Sequence, residues 1–266
     1  MKDVKIVFID LDGTLTNHDG KITDRAFKII EKLKKIGIYI VFTTGRSIPY
    51  TINIAKHYNP SGYMITSNGA EIYNYVNDNL IYASSIKEEN LAFLDNLVTK
   101  YNLIFTANSK DYRYTNKLND NLGKKLVEKL TDINNEVNQI VIQSTNIDDM
   151  KYFRRDLNEN AELKITNKGG ITELRDYYFY DVTNSEASKG NAIVKLCELL
   201  GIDLSKTMAI GDAGNDIDMF NVCAYKVAMA NADKELKEVA NLETLSNEQD
   251  GVALVLERLY QEINKG

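Results

Sequence analysis

The stretch Val7-Phe8-Ile9-Asp10-Leu11-Asp12-Gly13-Thr14-Leu15 decides the fold, because a short apolar run ends there in two carboxylates. The run over residues 4–9 is β-branched and aromatic with one lysine in it, which is typical of a buried strand. Ligands of open parallel sheets bind at the carboxyl ends of the strands, where Asp10 and Asp12 would lie. The two carboxylates repel each other, and a hard cation would keep both ionised. Taken alone, the same residues also fit a solvated turn after an ordinary strand.

The composition is that of a globular protein, and it argues against several classes of partner. The 266 residues are 44% hydrophobic and 26% charged, enough for one large or two modest domains. A net charge of −6 and a pI of about 5.2 disfavour nucleic acid as the main partner. No apolar run approaches the ~20 residues that span a bilayer, and no signal-peptide pattern is present. We therefore expect a cytoplasmic protein without a membrane partner.

Two residue types that often carry chemistry are scarce. The only histidines are His18 and His57, so histidine triads and histidine zinc sites are disfavoured. Cys197 and Cys223 lack the spacing of metal ligands and are expected to be reduced core residues. Any catalytic site must therefore be built mainly from carboxylates, hydroxyls, amides and lysine or arginine.

Both ends of the chain predict strands that alternate with helices. At the N-terminal end, helical patterns over 23–35 and from 47 onward separate strands over 4–9, 38–42 and 63–66. The alternation resumes at Ser188, with helices over 189–200, 217–222 and 251–263 and strands over 207–210 and 225–229. This alternation indicates an α/β fold with a doubly wound parallel sheet, which is a Rossmann-like architecture.

The middle of the chain interrupts this pattern. Strands are predicted over 103–107, 137–143, 162–166 and 172–182, and helices over 119–130, 147–157 and from a Ser85–Glu88 capping box to about 101. A block of this size has the dimensions of a small α+β domain. We therefore predict a core of residues 1–81 and 187–266, an inserted cap of residues 82–186, and hinges near 81–85 and 183–187.

Four polar clusters fall at comparable places in the predicted core. Three follow strands and the fourth opens a helix: Asp10 with Asp12, Thr44 with Gly45, Asp212 with Asn215 and Asp216, and Lys189. Each alone fits a turn, a helix-approach residue or a surface lysine. Together they fit one chemistry, because carboxylates suit Mg²⁺ while a lysine, a hydroxyl and a backbone amide suit a phosphoryl group. One carboxylate could attack phosphorus, and another could transfer protons.

The same clusters resemble the motifs of the haloacid dehalogenase superfamily phosphatases, in the Cof-type branch with a large inserted cap. Residues 10–15 (Asp-Leu-Asp-Gly-Thr-Leu) are similar to the first motif and residues 43–46 (Thr-Thr-Gly-Arg) to the second. Residues 188–190 (Ser-Lys-Gly) are similar to the third, and residues 211–216 with Met219 to the fourth. Residues 67–70 (Ser-Asn-Gly-Ala) also resemble the branch, whereas the cap matches only in size and position.

The resemblance implies a role for each motif residue. Asp10 would be the nucleophile and Asp12 the general acid and base. Mg²⁺ would be held by Asp10, by Asp12 mainly through its backbone carbonyl, and by Asp212, while Asp216 would hold a metal-bound water or Lys189. The phosphoryl oxygens would be bound by five residues: Thr44, Gly45, Lys189, Asn215 and, through its amide, Leu11. In this arrangement the cap would exclude water and select the leaving group.

Three functions stay open at this point. The main hypothesis is a Mg²⁺-dependent phosphatase whose partner is a small-molecule phosphate ester, with sugar phosphates as the default class. A sugar phosphomutase would use the same aspartate chemistry but needs a cap that holds a second phosphate, and a catalytically idle binding protein would keep only recognition. Oligomeric state is not indicated. The candidate cap contacts are Arg113, Tyr114, Arg154, Arg155 and Lys164, whereas Tyr177, Tyr178 and Tyr180 are expected to pack.

Overall fold

The computed structural model describes residues 1–58, 60–117, 124–171 and 176–265. Its strands are β1 (Ile6–Ile9), β2 (Tyr39–Thr43), β3 (Tyr63–Thr66), β4 (Glu71–Asn74), β5 (Asn79–Ala83), β6 (Ile104–Asn108), β7 (Arg113–Thr115), β8 (Lys124–Leu126), β9 (Gln139–Ser144), β10 (Leu163–Gly169), β11 (Tyr178–Asn184), β12 (Thr207–Gly211), β13 (Tyr225–Ala228) and β14 (Leu242–Glu243). Its helices are α1 (Asp24–Lys35), α2 (Ile48–Tyr58), α3 (Glu88–Lys100), α4 (Ile147–Leu157), α5 (Lys189–Leu200), α6 (Ile217–Val222), α7 (Lys234–Val239) and α8 (Gly251–Asn264).

The larger sheet is built from both ends of the chain. Its order is β14-β13-β12-β1-β2-β3-β4-β5, and every pair from β14 to β3 is parallel. All four residues of β1 are buried, because this central strand is covered on both faces. The predicted α/β fold with a doubly wound sheet is confirmed. The antiparallel strands β4 and β5, which extend one edge, were not expected from the sequence.

The helices predicted for this core begin close to their predicted positions, whereas α7 was not predicted. The Thr23 hydroxyl accepts a hydrogen bond from the Ala26 amide and so caps α1, whose buried stripe contains Ile29, Ile30 and Leu33. Ser188 caps α5 in the same way, and Gly201 ends that helix in the left-handed conformation. Among the helices of the described chain, none is both long and apolar enough to cross a membrane.

The inserted segment forms a second sheet with two different faces. Its order is β10-β11-β9-β6-β7-β8, and all neighbours are antiparallel except β7 and β8. Residues such as Phe105, Ile140 and Ile142 point to one face and join α3 and α4 in a separate apolar cluster. The alternate residues on β6 and β9 are largely hydroxyls and amides. Because side chains alternate along a strand, the sheet presents a polar face opposite its helices.

Several local predictions for this segment were wrong. The predicted helix over 119–130 is contradicted at its C-terminal end, where 124–126 form β8, and residues 118–123 lie outside the described residues. The Ser85–Glu88 capping box is absent, since α3 begins after Lys87 and the Ser85 hydroxyl donates to Asn138 at 2.9 Å. The strand predicted over 172–182 is β11, which begins at Tyr178; residues 172–175 are not described.

The two sheets are connected by two chain crossings and by buried polar contacts. One crossing follows β5, which ends at Ala83, and the other lies between β11 and α5. The division into residues 1–81 with 187–266 and an inserted segment 82–186 remains our proposal for the domains. Beside the first crossing, the fully buried Glu71 carboxylate accepts hydrogen bonds from Asn138 at 2.8 Å, Thr66 at 2.7 Å and Ser67 at 2.8 Å.

The Glu71 carboxyl should make stability depend on pH. Burial raises its pKa, although the hydrogen bonds from Asn138, Thr66 and Ser67 lower it, so the folded protein binds this proton more tightly than the unfolded chain. The resulting stability is complete below the ordinary glutamate pKa and is lost as pH rises through the raised value. In Glu71→Gln this titration is removed. The melting temperature of the variant minus that of the wild type should therefore increase by a few degrees from about pH 5 to about pH 8.

Thermal unfolding across this pH range checks the prediction. Glu235→Gln, at an exposed position, is the matched control and should shift the melting temperature equally at every pH. Parallel curves for Glu71→Gln and the wild type would contradict the argument.

Candidate active site

Neighbouring strands deliver polar side chains to one edge of the core sheet. Asp10 directly follows β1, Thr44 follows β2 and Asp212 follows β12. Since these three strands are adjacent and parallel, their carboxyl ends meet at the same edge. Lys189, the first residue of α5, and Asp216, in the turn after β12, reach the same place.

Lys189 lies between two carboxylates. Its side chain is 1% exposed, and its Nζ donates to Asp10 Oδ1 and to Asp216 Oδ1, both at 2.6 Å. Burial alone would lower the pKa of Lys189, but the charges of Asp10 and Asp216 outweigh it and raise the pKa. The lysine is therefore a fixed cation at the centre of the site.

Asp10 has one oxygen engaged and the other directed elsewhere. Oδ1 binds Lys189, whereas no hydrogen bond to Oδ2 is present within the described parts of the chain. Burial raises the pKa of Asp10 well above its usual range; Lys189 opposes that rise, and the nearby Asp216 and Asp212 add to it. Asp10 also lines a cavity at this edge of the sheet, together with Asp12.

Three carboxylates lie close enough to share a cation. One oxygen each from Asp10, Asp212 and Asp216 falls within 4.8 Å of the others. Burial raises the pKa of Asp212 to about 6; the Thr14 hydroxyl bond lowers it and the Asp216 charge raises it. Asp216 is nearly saturated, because its Oδ2 also accepts the amides of Asp212 and Ala213 at 3.0 and 3.1 Å. Oxygen donors with this excess of negative charge fit a hard divalent cation.

Gly13, in the first motif, allows the backbone there to lie close to Asp212 of the fourth motif. Its φ is +80°, and a Cβ at this position would lie 2.3 Å from Asp212 Oδ2. The next residue, Thr14, donates its hydroxyl to Asp212 Oδ1 at 2.6 Å. Only glycine meets both conditions, the left-handed backbone and the absence of a side chain. The conformation of the turn after Asp12 therefore depends on the carboxylate of Asp212, which follows a strand nearly 200 residues later in the chain.

Asp12 lies outside the carboxylate cluster. Its side chain is 57% exposed, lines the cavity and pairs with Arg46, whose Nε and Nη2 donate to the two oxygens at 2.8 and 2.5 Å. The hydrogen bonds that Arg46 donates to Asp12 raise the pKa of Arg46, although burial lowers it. Arg46 belongs to the second motif, but no function was expected for its side chain. That Asp12 binds the metal through its backbone carbonyl remains a prediction.

The predicted phosphate-binding residues surround the same point. Gly45 and Asn215 line the cavity, while Thr44 is fully buried and its Oγ1 accepts from the Arg46 amide at 3.1 Å. Asn215 Nδ2 donates to Asn68 Oδ1 at 3.0 Å, which fixes the orientation of its amide. The Leu11 side chain is fully buried, so only its backbone can serve a ligand.

A cavity of about 390 Å³ separates this edge from the polar face of the second sheet. Hydrogen bonds between described residues of the two sides include Gln139 Nε2 to Gly45 O at 3.0 Å, Asn68 Nδ2 to Thr166 Oγ1 at 3.2 Å, and Arg113 to the Tyr50 hydroxyl. Lining residues that were not expected from the sequence include Ser47, Tyr50, Thr106, Asn108, Gln139 and Gln143. Gln139 and Gln143 lie on the same face of β9 as Val141, and the intervening isoleucines are fully buried, so the two glutamines at alternate positions were the available signal.

The candidate cap contacts separate into different environments. Arg113 lines the cavity that Asp10 and Asp12 also line, whereas Arg154 and Lys164 line two other cavities beside Asn215. Tyr114 lies on the apolar face and donates to Asn135 at 2.5 Å, and Arg155 is exposed and pairs with Asp156 at 2.7 Å. Tyr178 and Tyr180 pack as expected, but Tyr177 lines the cavity.

Comparison with known families gives a match over almost the whole chain. The family described as haloacid dehalogenase-like hydrolase matches residues 7–256. The chain belongs to this family. The haloacid dehalogenase-like hydrolases were the family and enzyme class expected from the motifs, so that prediction is confirmed.

Individual relatives and structures agree with this family. The 5-amino-6-(5-phospho-D-ribitylamino)uracil phosphatase YcsE of Bacillus subtilis is 30% identical over 257 residues, covering 94% of each chain. A phosphoglycolate phosphatase of Archaeoglobus fulgidus is 27% identical over 256 residues, covering 96% of each. A haloacid dehalogenase-like hydrolase of Bacteroides thetaiotaomicron superposes with a TM-score of 0.84 at 24% identity, over 96% of this chain and 99% of that one, which shows the shared fold.

Gly13 and Gly20 allow a matched test of the close approach to Asp212. Both have positive φ, +80° and +71°, but a Cβ at Gly20 has nothing within 4 Å. Gly13→Ala should lower the hydrolysis of p-nitrophenyl phosphate by roughly 100-fold or more, since displacing Asp212 by about 1 Å disturbs the site. Gly20→Ala should cost only about 1 kcal/mol of stability and leave the rate unchanged.

Steady-state kinetics and thermal unfolding of both variants check this. Equal activity losses in the two alanine variants would mean that backbone strain, rather than the Asp212 contact, determines the effect.

Proposed function

We propose that this chain is a Mg²⁺-dependent phosphatase that hydrolyses small phosphorylated metabolites through an aspartyl-phosphate intermediate. The observation that carries the proposal is the environment of Asp10, which is buried at the wall of the cavity with Oδ1 held by Lys189 and with no hydrogen bond to Oδ2 from the described residues. The family match and the phosphatase names of its relatives support phosphate monoester hydrolysis.

In the first step, Asp10 Oδ2 attacks the phosphorus of the bound ester. A P–O bond to Asp10 forms, and the P–O bond to the leaving alcohol breaks. The Lys189 ammonium offsets negative charge at the nucleophile and on the phosphoryl oxygens, which the Gly45 amide and the Asn215 side chain can also bind. For the alcohol to depart neutral, Asp12 must enter this step as the carboxylic acid, with one of its hydrogen bonds from Arg46 released. It then gives that proton to the leaving oxygen and becomes a carboxylate.

In the second step, the phosphoryl group passes from Asp10 to water. Asp12, now ionised, accepts a proton from a water molecule, whose oxygen forms a bond to phosphorus. The P–O bond to Asp10 breaks, which restores the carboxylate and releases inorganic phosphate. Arg46 holds the Asp12 carboxylate by two hydrogen bonds and so orients it toward the cavity.

The carboxylates of Asp10 and Asp212 would hold Mg²⁺, with Asp216 supporting Lys189 and the amides of the Asp212 loop. The bound cation would supply charge neutralisation for the transferring phosphoryl group. This assignment fits the donor set, since the cluster combines three carboxylates with a single lysine and would otherwise suffer repulsion.

Sugar phosphates are our default substrate class. The polar face of the second sheet offers hydroxyls and amides, such as Thr106, Asn108 and Gln139, to a leaving group rich in hydroxyls. The name of the Bacillus subtilis relative includes a phosphorylated ribityl chain, which is a polyol of this kind. These observations support a small polar alcohol as the leaving group.

The alternatives are separated by their products. A phosphomutase would return an isomerised phosphate ester instead of inorganic phosphate. The adjacent Arg154 and Arg155 give it little support, since Arg155 is exposed and pairs with Asp156. A catalytically idle binding protein would release neither product. In such a protein the contact between Asp10 and Lys189 would have no catalytic role.

Asp10→Asn should abolish phosphate release from p-nitrophenyl phosphate. An amide cannot form the acyl phosphate, so the rate should fall by roughly 10⁴-fold or more, and EDTA should abolish wild-type turnover until Mg²⁺ is restored. Asp3→Asn, at an exposed position, is the matched control and should keep full activity. Full activity of Asp10→Asn, or of the wild type in EDTA, would refute the mechanism.

Asp12→Asn should slow both steps while leaving cation binding largely intact. Without the carboxyl, proton transfer to the leaving oxygen and from water loses roughly 10²- to 10⁴-fold. Rapid-quench measurement of phosphoenzyme should detect slow formation and slow breakdown in Asp12→Asn but no phosphoenzyme in Asp10→Asn. Mild, equal losses in both variants would mean that the two roles are assigned wrongly.

A further inference from the structure

Arg113 places a buried cation in the wall of the cavity opposite Asp10. The residue is the first of β7, is 9% exposed and lines the cavity with Asp10 and Asp12. Its Nε donates to Asn108 Oδ1 at 3.2 Å, one Nη donates to the Tyr50 hydroxyl, and its Cζ lies 4.2 Å from the centre of the Tyr50 ring. The guanidinium is therefore fixed in one orientation.

No counter-ion accompanies this cation within the described residues, since no carboxylate there lies within 4 Å of its nitrogens. Among the residues that the structure describes, Asp181 on β11 is the acidic residue of the same sheet face that lines the cavity. The order β11-β9-β6-β7 separates Asp181 from β7 by three strand spacings. At about 4.8 Å each, this separation is roughly 14 Å.

A buried charge without a counter-ion destabilises a folded protein, because desolvation of the charge is not compensated. Two neutral hydrogen-bond acceptors and an aromatic face offset only part of this loss. A guanidinium has five N–H donors arranged to bind a carboxylate or a phosphate with two parallel bonds. The orientation of Arg113 at the cavity wall thus suits an anionic group of a ligand.

Two neighbouring hydroxyls indicate that a ligand completes this wall. Thr106 Oγ1 on the cap side and Ser47 Oγ on the core side are buried and have no hydrogen-bond partner among the described residues. Both residues line the same cavity as Arg113. Buried polar atoms are rarely left without partners, so the two hydroxyls and the guanidinium together form a set of unused donors.

We propose that Arg113 is a specificity residue that binds a second anionic group on the leaving alcohol. The preferred substrates are then phosphate monoesters that also carry a carboxylate or a second phosphate, and a neutral sugar phosphate is a poorer substrate. This inference rests on the proposed function and narrows its substrate class. Because Arg113 also contacts Tyr50 of α2, an anion bound to the guanidinium is held where the inserted segment meets the core.

Matched substrate pairs test the charge preference directly. 3-Phosphoglycerate differs from glycerol 1-phosphate by a carboxylate, and 6-phosphogluconate differs from glucitol 6-phosphate in the same way. Fructose 1,6-bisphosphate against fructose 6-phosphate tests a second phosphate. The wild type should prefer the anionic member of at least one pair by about tenfold or more in kcat/KM, and the type of pair identifies the anion.

Variants assign the preference to Arg113. Arg113→Met keeps the apolar stem and should lose the preference, mainly through a higher KM for the anionic substrate, while Arg113→Lys should retain part of it. Arg155→Met, an exposed arginine of the same inserted segment, is the matched control and should keep the preference. Thermal unfolding of each variant verifies that it is folded.

The outcomes separate this inference from the phosphatase proposal. If p-nitrophenyl phosphate is not hydrolysed at all, the proposed function fails; Arg113 is then judged from calorimetric binding of 3-phosphoglycerate and glycerol 1-phosphate to the wild type and to Arg113→Met. If hydrolysis occurs but the wild type prefers the neutral members, or if Arg113→Met keeps the anionic preference, the assignment of Arg113 is wrong.

Discussion

The contact on which the site depends is the buried ammonium of Lys189 between Asp10 and Asp216. Each partner comes from a different element, namely the end of β1, the start of α5 and the turn after β12. Two carboxylates at this depth would repel each other and favour protonation, and the lysine provides the charge that keeps them together. The geometry of the loops follows from it, since Asp216 in turn holds the amides of Asp212 and Ala213 and so fixes the position of the Asp212 carboxylate.

Much of the core was predictable because its determinants are local. Short apolar runs that end in polar residues predicted β1, β2 and β12, and capping residues such as Thr23 and Ser188 predicted where helices begin. The meeting of Asp10, Lys189 and Asp212 was predictable too, because parallel neighbouring strands end at one edge. The salt bridge of Asp12 with Arg46 was not, because the side-chain direction of an exposed carboxylate depends on a partner that no pattern marks.

The inserted segment was harder to predict, for reasons that lie in its sheet. Most of its strand pairs are antiparallel, and the two faces of the sheet differ, so the identity of a residue matters less than the face it occupies. A short strand such as β8 resembles a helix when its sequence is read alone. Gln139 and Gln143 look like solvated residues until the sheet is assembled against the core. Tyr177 likewise resembled a packing residue, yet it precedes β11 and lines the cavity instead of joining the apolar face.

The pairing of β1 with β12 has a consequence for how the protein comes into being. Ile6 is aligned with Thr207, so the central strand β1 pairs with a strand about two hundred residues later in the chain. The strands of the inserted segment, in contrast, all pair with one another. Contacts of such long sequence separation form slowly. During synthesis the inserted segment can therefore fold while β1 still lacks one neighbour. The apolar surface of β1 stays exposed until the C-terminal strands emerge from the ribosome. Asp10 would meet Lys189 only after well over half of the chain has been made, because the two residues are 179 positions apart.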